Sequence, residues 1–148
     1  MFKPLIRFQH LPLAKKIIFF EAIAWSIVAR VLIFVCPFSW TKYILRLKPY
    51  TAQPLKNVHT LVQTGQAKTI ASLINTLNHY FPWKNTCLVQ AITAKMLLKR
   101  RGAESVIIMG LKKEDSGALK AHAWLTNVDG VVTGFDDANQ FTALAYLI

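Results

Sequence analysis

The chain has 148 residues, is 53% hydrophobic, and carries 18 Lys and Arg against 7 Asp and Glu, a formal net charge of +11. The length suits one domain, residues 1–148, with a core of its own, and the charge favours an acidic partner: a peptide, a nucleic acid or an anionic membrane. Two cysteines without a CxxC and four histidines without ligand spacing argue against a zinc site, and the lack of GxxxxGK[ST] and GxGxxG argues against a phosphate-cradling loop, so neither metal nor cofactor is expected.

Residues 1–16 mix basic and apolar side chains, broken by Pro4 and Pro12. They show no n-region, h-region and cleavage site, so a cytoplasmic protein is expected, with membrane association as an alternative. Ile17–Cys36 is an apolar run long enough to span a bilayer, closed by Pro37. Glu21 and Arg30 interrupt it and fall on opposite sides of a helix, which disfavours a span. We expect a largely buried helix, or one packed on a partner, with Cys36 as a small buried hydrophobe. Pro37, Pro49 and Pro54 then mark a short helix and a loop, so residues 1–57 read as a helical, apolar and basic N-terminal region. Leu61, Val62, Ile70, Leu73, Ile74 and Leu77 have helical spacing within 58–80.

The clearest helix is 87–101, CLVQAITAKMLLKRR. Thr86 or Asn85 can cap it, its last turn is basic, and Gly102 stops it. Beyond Gly102 the pattern changes. Residues 105–111 are rich in β-formers, 112–120 form a polar loop, and 121–127 and 131–135 flank Asp129-Gly130, a strong two-residue hairpin signal. Helices followed by an antiparallel sheet define an α+β fold, with residues 80–148 as the catalytic core.

Cys87 opens the strongest helix. A helix N-terminus offers unsatisfied N–H groups and partial positive charge, which favour a thiolate and can hold an oxyanion. His122 lies on a predicted strand. Taken alone, each residue is better explained by a structural role than by a catalytic one. The hairpin joins them to a third group. With Asp129 and Gly130 as the central turn residues, Val128 faces Val131 and His122 faces Asp137. Opposed residues hold their Cβ atoms about 4.5–5.5 Å apart, close enough for a carboxylate to orient an imidazole. The result is a candidate Cys87–His122–Asp137 triad: nucleophile, base and orienter. Asp136 takes the place of Asp137 if a bulge shifts the register. Gln90 can reach the cleft or face solvent, Asn85 can donate to an oxyanion or only cap, and Trp124 can cover the imidazole or fill the core.

The stretch from Cys87 through GAESVIIMGLKK and AHAWLTNVDGVV to Asp136-Asp137-Ala138 resembles the stand-alone B protein of lasso-peptide biosynthesis, a transglutaminase-like (papain-like) leader peptidase. The elements are the cysteine opening a helix, the basic-Gly stop, a strand ending in Gly110, and HAW before a D-G turn. The apolar run and its Pro37-Phe38 break look like the same family's leading helices. The resemblance implies a cysteine peptidase that removes the leader from a ribosomally made precursor through Cys87, His122 and an Asp. Aligning the Asp-Asp-Ala run selects Asp137. It further implies a precursor peptide, a separate leader-recognition protein and a lasso cyclase as partners, and antibiotic biosynthesis as the setting. It implies no nucleic acid, and peripheral membrane contact stays open. Acyl transfer to an amine on the same scaffold and a non-enzymatic peptide- or membrane-binding scaffold are the alternatives.

Overall fold

The computed structural model describes residues 12–49, 64–80, 86–127, 130–134 and 139–148. The helices are α1 (Leu13–Val35), α2 (Phe38–Ile44), α3 (Thr64–Tyr80) and α4 (Cys87–Lys99). The strands are β1 (Val106–Lys113), β2 (Leu119–Asn127), β3 (Gly130–Thr133) and β4 (Thr142–Leu147). They form one antiparallel sheet in the order β3-β2-β1-β4. The expected α+β architecture, helices packed on a small antiparallel sheet, is present. The sequence reading did not name β4.

Helix α4 is the axis of the packing. Val89, Ala91, Ile92, Ala94, Leu97 and Leu98 are all fully buried, which is the mark of a helix surrounded by other elements. It lies against β2 and is flanked by α1 and α3. On α1 the buried residues are Ala22, Ser26 and Ala29; these small side chains form one stripe and let α4 come close. Glu21 ties the same helix to the end of α4, at 3.0 Å from Arg100 Nε and 2.6 Å from Arg101 Nη2. That pairing explains an acid within an apolar run. The outer side of α1 is exposed, so the helix is only partly buried, less than expected. Cys36, after its last turn, is half-buried rather than buried.

The sheet has two different faces. Ile107, Leu125, Val132 and Leu147 join the aliphatic cluster of α1, α3 and α4. Val106, Ile108, Trp124 and Phe141 form a second cluster, and the alternation of strand residues puts it on the other face. On the β4 edge, Lys48 and Ile148 exchange backbone hydrogen bonds of 2.9 and 3.0 Å, so an irregular segment covers an edge that would otherwise be open.

The hairpin register differs from the expected one. Asn127 pairs with Gly130 and Thr126 with Val131; after an irregularity, Leu125 pairs with Thr133. Gly130, at φ 123°, is therefore the first residue of β3 instead of the second central turn residue. A D-G pair marks where a chain reverses, but glycine tolerates a positive φ at either position, so the dipeptide does not fix which pair closes the ladder. Val128 and Asp129 lie outside the described residues, as do Asn85, Asp136 and Asp137.

Candidate active site

Cys87 is the first residue of α4. Thr86 stands before it with extended backbone, φ −65° and ψ 156°, and its Oγ1 accepts the N–H of Val89 at 3.4 Å. Its carbonyl accepts the N–H of Gln90 at 3.0 Å. The cap thus occupies the third N–H of the helix, and among the described residues the N–H groups of Cys87 and Leu88 remain as first-turn donors beside the thiol. No acid lies in that turn, so the helix itself sets no like charge against a developing negative charge. Both cysteines are free, and Cys87 is half-buried. Of the two expected caps, Thr86 is the one observed. Gln90 is half-buried and already engaged.

His122 is held in detail. Its ring lies near-parallel to the Trp124 indole, with centroids 5.9 Å apart and planes at 20°. Phe141 closes the other contact, with centroids 5.0 Å apart. Nε2 sits 3.3 Å from the carbonyl oxygen of Gly134. A carbonyl can only accept, so Nε2 is the protonated nitrogen and Nδ1 carries the lone pair. The tautomer leaves Nδ1 as the basic atom.

Two glycines make room for this arrangement. Gly110 pairs with His122 across β1 and β2. A Cβ there would lie 2.8 Å from Thr142 O and 3.0 Å from the Trp124 ring. The missing side chain lets the indole lie flat beside the imidazole. Gly134 has φ +75°, and a Cβ there would lie 2.9 Å from Trp124 Cβ and 3.0 Å from His122 Nε2. Trp124 therefore serves both expected purposes: it is nearly fully buried, and it braces the histidine. Gly134 and Phe141 were not singled out from sequence.

The body of α4 packs on the Leu125 face of β2, whereas His122 lies on the Trp124 face. Among the described residues no hydrogen bond joins Cys87 Sγ to the ring. The third member of the expected triad, Asp137 with Asp136 as its alternative, lies outside the described residues. Among the described residues no group of three or more His, Cys, Asp or Glu could hold a metal ion.

A half-buried cysteine thus opens a capped helix, and a braced histidine lies on the sheet against which that helix packs. The profile of the transglutaminase-like superfamily matches residues 30–146, and the chain belongs to that superfamily, which includes cysteine peptidases and acyltransferases. No curated protein and no solved structure matches it significantly.

Proposed function

We propose that the chain is a cysteine peptidase that removes the leader from a ribosomally made lasso-peptide precursor. The observation that carries the chemistry is the position of Cys87, first in a helix whose cap leaves two backbone donors beside the sulfur. The resemblance over residues 80–137 supports the substrate class. A separate leader-recognition protein and a lasso cyclase are the partners on this reading, and the setting is cytoplasmic.

The mechanism follows from the groups present. His122 Nδ1 takes the thiol proton, and the sulfur attacks the scissile carbonyl carbon. The carbonyl oxygen becomes an oxyanion, met by the Cys87 and Leu88 N–H groups. Collapse breaks the C–N bond as the imidazolium passes its proton to the leaving amine. Water, deprotonated by His122, then attacks the thioester, and the thiol departs with its proton returned. Asp137, or Asp136 beside it in the same run, is the orienting acid in this scheme and shares the Nε2 hydrogen with the Gly134 carbonyl.

The test is to incubate the chain with precursor and recognition protein and follow leader release by mass. Cys87→Ala and His122→Ala, shown folded by circular dichroism, should lower release by at least about a thousandfold, in line with losing a member of a catalytic unit. Comparing Asp137→Asn with Asp136→Asn identifies the orienting acid. Release by folded Cys87→Ala at the parent rate rules the peptidase mechanism out. A product joined to an added amine in place of the free acid would make the chain an acyl transferase.

A further inference from the structure

The outer side of α1 is an apolar stripe with no role in the site. Ile17, Phe20, Ile27, Val31 and Phe34 follow helical spacing, and their exposures run from 45% to 65%. At about 100° per residue they share roughly a third of the helix circumference. Solvent-facing stripes of this kind mark a docking surface. Most of α1 precedes the region matched by the superfamily.

The charges around it point to the occupant. Residues 12–49 contain six basic side chains, Lys15, Lys16, Arg30, Lys42, Arg46 and Lys48, and one acid, Glu21. Glu21 is bound by Arg100 and Arg101 and adds no free negative charge. The Arg30 guanidinium lies 5.3 Å from the centre of the Phe34 ring, at the margin of the stripe. Exposed Trp40 and Tyr43 follow on α2, and such aromatics suit the headgroup level of a bilayer. We propose that α1 binds an anionic lipid surface while lying in its plane, with the stripe in the acyl–headgroup boundary and the basic residues at the phosphates.

The helix is long and apolar enough to cross a membrane, but its packing opposes a span. Crossing would strip Ala22, Ser26 and Ala29 from the core and separate Glu21 from both arginines. An in-plane helix keeps all of these contacts and buries only what is already exposed. It combines the two signals, apolar area and basic charge, that stable peripheral binding needs.

Flotation of the full chain with vesicles tests this. Binding to phosphatidylcholine vesicles containing phosphatidylglycerol should be at least about tenfold stronger than to phosphatidylcholine alone. Phe20→Glu with Val31→Glu should abolish it. Lys15→Glu with Lys16→Glu, at exposed or rim positions, should weaken it by about tenfold or more and carries the test if the first pair does not fold. Cys87→Ala should float like the parent, which keeps the result separate from the peptidase reading. Four results overturn the proposal: no flotation with either vesicle, equal flotation of the folded lysine variant, a solution dimer abolished by Phe20→Glu with Val31→Glu, or retention in the bilayer after alkaline carbonate.

Discussion

His122 is fixed by residues distant in sequence. Gly134 supplies the carbonyl that sets its tautomer, and the missing Cβ of Gly134 leaves space for the ring. Gly134→Ala forces a side chain into left-handed backbone and against the imidazole. It should cost about 2–3 kcal/mol in a denaturant melt and lower leader release by more than the loss of folded protein explains. Unchanged release at reduced stability would make Gly134 a backbone requirement only. Cys87 and His122 were legible because local patterns mark them: a helix start after a breaker, and a histidine two residues before a tryptophan on a strand. Gly134 and Phe141 carry no such mark. Their importance comes from contacts between chain segments that no short window contains.

Among the elements, α4 shows what a sequence window can and cannot give. Its start at Cys87 and the stop at Gly102, φ +71°, follow local rules. Its burial on nearly every side does not, and one consequence concerns Lys95. This lysine is almost fully buried, and its Nζ donates to the Ser105 carbonyl. Burial, and secondarily Lys99, push its pKa down from 10.5 to about 8. Between those values the unfolded chain holds a proton that the folded chain has released, so stability rises with pH across that window; below it the charged lysine weakens the fold in full. Urea unfolding at pH 7 and 10 should show a gain on the order of 3 kcal/mol at most in the parent, absent in Lys95→Met. An equal gain in both would place the titration elsewhere. Strand β4 went unread because its ladder with β1 shifts at Met109/Gly110, and its residues alternate weakly.

At the scale of the whole molecule, helices followed by strands sufficed to indicate α+β. The order β3-β2-β1-β4 and the two sheet faces did not follow, because they depend on which strands meet. The same gap affected the hairpin register: a hairpin signal locates a reversal, but not which pair closes the ladder or where it shifts. The result is a helix α4 packed on the Leu125 face of the sheet, with His122 on the Trp124 face, and a basic, apolar α1 on the outside of the packed helices. The most direct test of an activated Cys87 needs no precursor and uses Cys36 as the reference thiol in the same chain. Both cysteines are alkylated with iodoacetamide near neutral pH, and each modified peptide is followed by mass. Cys87 should react at least about tenfold faster than Cys36, as expected of an activated nucleophile, and His122→Ala should remove the difference. Equal rates for the two cysteines, or an advantage of Cys87 that survives His122→Ala, would contradict the pairing of Cys87 with His122.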